Sequence, residues 1–316
     1  MRPFQTIRDG KQIVVSFKLL LTMIDGKVCN SLTKTNSSLR CFLCGATSSQ
    51  FNNVDQMVKK PVDIESLNFG ISTLHAWIRF FECFLHLSYR LDIEKWQIRS
   101  NDDKTKTDAR KKRIQSDFRK QLGLLVDVTK QGYGSTNDGN TARRFFENSQ
   151  VSAAITGVDR DLINRFHVIF QVISCGFDIN TRKFEKYARD TAQRFTELYS
   201  WYYMPTSVHK ILVHSSEIIA SSLLPIGQMS EEALEANHKY IKKYRQDFSR
   251  KCSRVKTMED VFCRLLVSSD PHISSLRKQH SKKIKKISPE AIELLEDESF
   301  LPTDEVEFHD EEYECN

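Results

Sequence analysis

Two pairs of residues with the chemistry of metal ligands lie far apart in this chain. Cys41 and Cys44 form a Cys-x-x-Cys motif, and His209 and His214, about one helical turn apart, follow about 165 residues later. A cysteine pair on a tight turn offers two thiolates to a tetrahedral zinc ion, and two histidines can fill the remaining positions. Each pair alone has an ordinary alternative, a redox or coincidental cysteine pair or surface histidines. If all four bind one zinc ion, they join distant segments of the chain.

Two acidic residues occupy positions that suit phosphoryl transfer. Asp25 ends an apolar run that is typical of a strand, and Glu235 lies in a segment that is typical of a helix. Carboxylates at such positions can hold Mg²⁺ or Mn²⁺ against the attacking and leaving oxygens of a phosphodiester. The alternative is that acids in this segment only stabilise the partly positive N-terminal end of a helix that begins after a Ser230 cap. That alternative explains Glu231 and Glu232 better than Glu235, which could face inward.

Basic residues form two further candidate sites, both suited to the phosphates of DNA. Arg143 and Arg144 follow small residues that open a predicted helix, and a helix N-terminus can hold a backbone phosphate. An ordinary capped turn is the alternative for that segment. A second basic run follows Glu235. The candidate DNA contacts are Arg143, Arg144, Lys242, Lys243, Arg245, Arg250, Lys251 and Arg254.

Charge is distributed unevenly along the 316 residues. Residues 289–316 hold twelve Asp and Glu and no Lys or Arg, so that residues 1–288 carry 47 basic against 29 acidic side chains although the net charge is only +6. A basic body most simply serves a polyanion, and an acidic tail can compete for that surface or recruit a basic protein partner. The alternative is a solvated tail that only improves solubility.

Composition limits the class of protein. An apolar content of 40% is typical of a globular protein of one or two domains. No apolar run reaches the roughly 18 residues of a membrane span, and the first residues do not resemble a signal peptide. We therefore expect a soluble intracellular protein without a membrane partner. The eight cysteines suit reduced thiols and one metal pair better than a disulfide framework.

The pattern of apolar residues predicts an α+β chain with a β-rich beginning and a helical remainder. Residues 12–24 are β-branched and apolar up to a turn signal, which predicts a buried strand. Residues 71–92 show the spacing of a buried helix, and residues 101–119 that of a charged linker entering an exposed helix. Further helices are predicted near residues 159–175, 181–202, 206–220, 230–248 and 257–268.

These motifs together resemble a known family. They follow the order seen in the catalytic core of the V(D)J recombinase subunit, recombination-activating protein 1, and of the related Transib transposases. The match spans most of residues 15–270. It is carried by Asp25-Gly-Lys-Val, Leu39 to Thr47, Leu74-His75, Gly139 to Arg144, His209 to His214, and Glu235 through Thr257-Met-Glu-Asp-Val261.

The resemblance implies an RNase H-like core that cuts DNA with a triad of two aspartates and one glutamate and divalent metal ions. It implies that Asp25 is the second acid, that Glu235 is the third, and that the Cys-x-x-Cys and histidine pairs share one structural zinc. It also implies that Arg143 and Arg144 contact DNA. A nuclear location follows from such a function.

The chain departs from the family at the first triad aspartate, which should precede Asp25 on an earlier strand. Only Asp9 stands upstream, in a segment that is typical of a turn. Since two acids without the third bind the metal pair poorly, we expect the ancestral cleavage and strand-transfer activity to be absent.

Three functions from different classes follow: a transposon-derived recombinase-like protein, a non-catalytic DNA-binding protein that keeps the zinc scaffold, and a zinc-pinned helical module whose basic body meets its own acidic tail or a protein partner. A homodimer is a further candidate assembly. The predicted fold is the remnant of an RNase H-like core with an inserted helical zinc-binding region. Its predicted parts are a strand remnant with the cysteine pair (1–60), a helical insert with basic segments (61–204), the histidine helix and catalytic helix (205–288), and a disordered acidic tail (289–316).

Overall fold

The protein is predominantly helical. The computed structural model describes residues 4–8, 10–15, 26–33, 35, 37–130, 134–276, 284–296 and 307–309. Its α-helices are α1 (Gly26–Leu32), α2 (Val54–Val58), α3 (Thr73–Ser88), α4 (Asn101–Leu122), α5 (Gly139–Glu147), α6 (Ser149–Thr156), α7 (Arg160–Ser174), α8 (Thr181–Leu198), α9 (Thr206–Ser221), α10 (Glu232–Asp247), α11 (Arg254–Ser268), α12 (Pro271–Ser275) and α13 (Pro289–Ile292), with 3-10 turns at Glu65–Phe69 and Ile226–Met229. The predicted α+β, mainly helical class is confirmed.

The strands form three separate antiparallel pairs in the described part of the chain. They are β1 (Phe4–Arg8) with β2 (Lys11–Val15), β3 (Thr129–Lys130) with β4 (Gly134–Ser135), and β5 (Ile284–Lys286) with β6 (Glu307–His309). The first pair is a hairpin in which Phe4 lies opposite Val15 and Arg8 opposite Lys11. No larger sheet, and hence no RNase H-like core, is shown by the described residues.

The prediction of a buried strand over residues 12–24 is wrong for the residues that the structure describes. Ile13 and Val14 are 38% and 60% exposed in the hairpin. Residues 16–25 lie outside the described part of the chain. β-Branched residues favour a strand, but they become buried only where a second layer covers one face of it.

An aromatic core holds α3, α5 and α7 together. The predicted buried helix over residues 71–92 is confirmed as α3, which begins at a Ser72 cap whose hydroxyl accepts the His75 amide. Phe80 lies 5.0 Å from both Phe166 and Phe170, ring centre to ring centre. Each buried phenylalanine contributes about 1.5–3 kcal/mol. The core rings are Trp77, Phe80, Phe81, Phe84, Phe145, Phe146, Phe166 and Phe170.

Helix α4 is the longest helix of the described chain and the most highly charged. It begins at Ser100, whose side chain accepts the Asp103 amide, and ends at Gly123 with a φ of +65°. Its residues 114 and 118, Ile and Phe, are fully buried, while most of its other side chains are exposed. The predicted linker into an exposed helix is therefore one continuous helix. No helix that the structure describes is long and apolar enough to cross a membrane.

The segment after α11 returns to the helical body. Ile287, Leu294 and Leu295 are buried there, and Ser288 donates to the Gln171 side chain of α7 over 2.6 Å. The carbonyl of Leu294 accepts the amide of Asn180 at the start of α8, over 2.9 Å. The chain is thus packed against the helical body up to residue 296, which includes the first eight residues of the predicted acidic tail.

Candidate metal centre and basic groove

The two cysteines lie on one side of a tight turn. The Cys41 amide donates to the Ala46 carbonyl over 2.9 Å, and the Gly45 amide donates to the Cys41 carbonyl over 2.8 Å. Gly45 has a φ of +67°, a conformation that a residue with a side chain rarely adopts. This turn places the sulfurs of Cys41 and Cys44 on the same side of the backbone.

The two histidines lie on α9, at its fourth and ninth residues. This helix starts after Pro205, and His209 and His214 are buried at 0% and 1% exposure. The ring of Phe51 stacks on His209 with centroids 4.1 Å apart and planes 10° apart. The two imidazoles meet edge to face, with their Nε2 atoms 3.2 Å apart.

The four side chains lie close enough to hold one metal ion. Their ligand atoms all fall within 4.8 Å of one another, and Cys44 Sγ lies 3.4 Å from His209 Nε2. A tetrahedral zinc with bonds of about 2.0 Å to nitrogen and about 2.3 Å to sulfur separates its ligands by roughly 3.3–3.8 Å. The prediction that Cys41, Cys44, His209 and His214 meet is confirmed, and we call them the Cys2His2 cluster. A buried set of four ligands is compatible with a structural zinc.

The electrostatics of the cluster favour the metal-binding forms of Cys44 and His209. By contrast, the pKa of His214 is raised, because hydrogen bonds with Cys44 and Glu217 outweigh its burial. The pKa of Cys44 is lowered by a hydrogen bond with the Cys41 thiol and by the two imidazoles. The pKa of Cys41 is raised by the same hydrogen bond and by burial. Burial lowers the pKa of His209, which keeps that ring neutral. A thiolate and a neutral imidazole are the forms in which these side chains bind a metal ion.

Protein contacts hold the cysteine segment against the chain before α9. Asn52 accepts the Met204 amide over 2.9 Å and donates to the Tyr202 carbonyl over 3.0 Å. Thr206 donates to the Ser38 carbonyl over 2.9 Å. Nothing in the sequence around Asn52 signals this role, because its partners lie about 150 residues away.

A basic groove separates α10 from α11, which run side by side as a helical hairpin. The groove has a volume of about 680 Å³. It brings together four of the eight predicted DNA contacts. These are Lys242, Arg245, Lys251 and Arg254, and the other residues lining the groove are His238, Ile241, Gln246, Ser253 and Thr257.

Lys243 and Arg250 belong to the same hairpin but do not line this groove. Lys243 is exposed on α10. Arg250 binds Asp260 of α11 through two nitrogens, with Nη2 2.8 Å from one carboxylate oxygen and Nε 3.0 Å from the other. Arg250 therefore also closes the loop between the two helices.

Arg143 and Arg144 lie on α5, away from the groove residues. The side chain of Arg143 is 12% exposed, pairs with Glu232 and lies 5.7 Å over the ring of Trp77. Arg144 donates to the Leu122 carbonyl at the end of α4. Both side chains thus join structural elements, and their contact with DNA stays a prediction.

The acids at the start of α10 have a role that the helix-dipole interpretation missed. Glu231 accepts a hydrogen bond from Ser72 and lies 3.5 Å from His75 Nδ1, both at the start of α3. Glu232 pairs with Arg143 of α5. Together they anchor α10 to the helical body. No local pattern reveals this, because both partners are distant in sequence.

The structure does not describe the predicted divalent-cation site. Asp25 and Asp9 lie outside the described residues, and Glu235 is described only by its backbone in α10. The binding of Mg²⁺ or Mn²⁺ by Asp25 and Glu235 therefore stays a prediction.

No model of a protein family matches this chain, and no curated protein matches it. Its function must be inferred from its own residues.

Proposed function

We propose that this protein binds DNA through the α10–α11 hairpin, which is carried on a helical body whose distant segments are joined by a structural zinc. The observation that carries the proposal is the convergence of Lys242, Arg245, Lys251 and Arg254 on one groove. Four cations around a groove suit a phosphate backbone, because each neutralised phosphate releases a condensed counterion.

The charge of the hairpin supports this proposal. Residues 232–268 carry nine Lys or Arg against five Asp or Glu. The first turn of α11 also borders the groove through Ser253, Arg254 and Thr257. The N-terminal end of a helix carries a partial positive charge, which adds to the attraction for a phosphate.

The Cys2His2 cluster has a scaffolding role in this proposal. Zinc bound by Cys41, Cys44, His209 and His214 would join the turn after residue 40 to α9. A closed set of four protein ligands leaves no position for substrate, so the metal would stabilise the fold and take no part in a reaction. The anchoring of α10 by Glu231 and Glu232 then places the hairpin on this body.

We also propose descent from the recombinases and Transib transposases that the sequence resembles, including their RNase H-like core and a nuclear location. The meeting of the four residues that the resemblance assigns to one zinc supports this origin. We propose DNA binding rather than cleavage because the basic groove lies in the described part of the chain, whereas Asp25 and the side chain of Glu235, which would hold Mg²⁺ or Mn²⁺, lie outside it.

The proposal is tested by the salt dependence of duplex DNA binding, measured by fluorescence anisotropy. We expect the affinity to fall steeply with salt, and the slope of log K against log salt to shrink by about one for each phosphate contact removed by Lys242→Ala or Arg245→Ala. Arg182→Ala and Lys186→Ala, at exposed positions of α8, are the matched control. An equal loss in the control would contradict a site at the groove.

A second candidate function is protein interaction through α11. Val255, Met258, Phe262 and Leu266 are exposed, and their spacing places them along one face of the helix. The simplest partner is the same face of a second copy of the chain, so that two α11 helices pack together in a homodimer. We expect Phe262→Glu to convert a dimer to a monomer in sedimentation analysis, and a monomeric wild-type protein would dismiss this candidate.

A further inference from the structure

Three aromatic rings follow one another along α10, next to the basic groove. Tyr240, Tyr244 and Phe248 are spaced four residues apart, and both neighbouring pairs have ring centroids 6.4 Å apart. Tyr240 is 38% exposed and Phe248 is 45% exposed. We call these three residues the aromatic ladder. Large rings that remain this exposed contribute little to a core, and they keep exposed ring surface that a planar ligand can contact.

Two cationic side chains lie over rings of the aromatic ladder, Lys239 over Tyr240 and Arg264 over Phe248. The Lys239 ammonium lies 5.1 Å from the centre of the Tyr240 ring, and the Arg264 guanidinium lies 4.7 Å from that of Phe248. Lys243 is exposed one helical turn from Tyr240. Around the circumference of α10, Lys239 and Lys243 thus lie between the aromatic ladder and the groove residues Lys242 and Arg245.

This arrangement matches the two parts of an unpaired nucleotide strand. Bases stack on aromatic rings irrespective of sequence, because every base has a π face, while cations beside the rings follow the phosphates. The planes of neighbouring rings lie 33° and 68° apart, so a continuous run of parallel stacked bases cannot follow all three rings, and a strand on the ladder must have its bases separated. A duplex hides its base faces and can use only the cations.

We propose that the aromatic ladder makes the α10–α11 hairpin a binding surface for single-stranded nucleic acid, with bases stacked on Tyr240 and its neighbours. This inference rests on the proposed function, since the same groove cations would hold the phosphates. It adds a preference for unpaired strands to a surface whose charge alone would not distinguish them from a duplex.

The test compares two probes on the full chain: fluorescent oligo(dT) and a duplex of the same length. We expect Tyr240→Leu to weaken oligo(dT) binding roughly tenfold and to leave duplex binding unchanged. Tyr240→Phe should restore binding, because it keeps the ring. The matched control is Tyr203→Leu, a tyrosine of similar exposure at 37% that packs beside Trp96.

The outcomes separate this inference from the proposed function. If Lys242→Ala weakens both probes while Tyr240→Leu weakens neither, the groove binds nucleic acid and the ladder proposal is wrong. If Tyr240→Leu weakens both probes equally, the preference for unpaired strands is likewise overturned. If wild-type protein with a normal melting curve binds neither probe, the proposed function and this inference both fail.

Discussion

The ring of Phe51 lies parallel to the imidazole of His209, with centroids 4.1 Å apart. This stack limits the orientation of one of the four candidate metal ligands. Since ligand orientation decides how well four atoms converge on one ion, residues that touch no metal can still set the metal affinity.

We expect Phe51→Leu to weaken zinc binding about tenfold, because the His209 ring loses the surface that orients it. The affinity is measured by competition with a chromophoric chelator. Phe118→Leu is the control, because both phenylalanines are fully buried and Phe118 lies on α4 in the aromatic core. The control should lower the melting temperature and leave zinc affinity intact. Equal zinc affinity in both variants would show that the stack has no orienting role.

Removal of a ligand should cost both metal and stability. We expect Cys41→Ser and His214→Ala to reduce zinc content well below one ion per chain, and to lower the free energy of unfolding by roughly 3 kcal/mol or more, because the ion joins segments distant in sequence. Elemental analysis and thermal unfolding on the same samples measure both. Cys83→Ser, at a buried cysteine outside the cluster, should keep its zinc. Zinc loss with unchanged melting would exclude a structural role.

Gly227 should not tolerate any side chain. A Cβ at this position would overlap the backbone carbonyl of Cys175, which cannot move aside as a flexible side chain can. We expect Gly227→Ala to destabilise the protein by about 2 kcal/mol or more, in denaturant unfolding. Gly176→Ala is the control, because its Cβ would only meet Gln228 Cγ at an ordinary 3.6 Å. Similar stabilities of the two variants would contradict the close packing of Gly227.

The loop of the hairpin should open in acid. The Arg250 side chain and amide hold the pKa of Asp260 down to about 2. A carboxylate whose pKa is depressed in the folded protein stabilises it above the unfolded pKa of about 3.9, and this contribution is lost as the pH falls towards about 2. Protection of the Arg250 amide, which donates to Asp260 over 2.7 Å, should therefore decline over this range in hydrogen exchange. In Asp260→Asn the protection should be low throughout. Protection that stays constant between these pH values would count against the pair.

Sequence patterns predicted what depends on residue type and local spacing. The Cys-x-x-Cys and histidine pairs were recognised as possible metal half-sites from residue type and spacing, and the family resemblance implied that they meet across about 165 residues. Helix α3 could be predicted because the spacing of its apolar residues is a local property of the sequence.

What the patterns missed depends on partners that the local sequence does not contain. Glu231 and Arg143 suggested a helix dipole and a phosphate contact, but each has a distant partner, Ser72 and Glu232 respectively. The residues around Ile13 form a strand as predicted, but the strand is exposed and not buried, because no layer covers it among the described residues. The burial of Leu294 and Leu295 was not predicted, because the acidic residues around them are typical of a solvated tail.

The docking of Ile287 to Glu296 on α7 and α8 changes the topology of the hairpin. The chain stays on the body through the 3-10 turn at Ile226–Met229 and the start of α10, leaves it along the hairpin and comes back to it at Ile287, so the hairpin is an insertion between two docked segments and not a terminal arm. A protease cut between α11 and Ile287 would leave the final segment bound to the body. The body that carries the Cys2His2 cluster and the hairpin that carries the basic groove are thus separate structural units joined by two chain crossings.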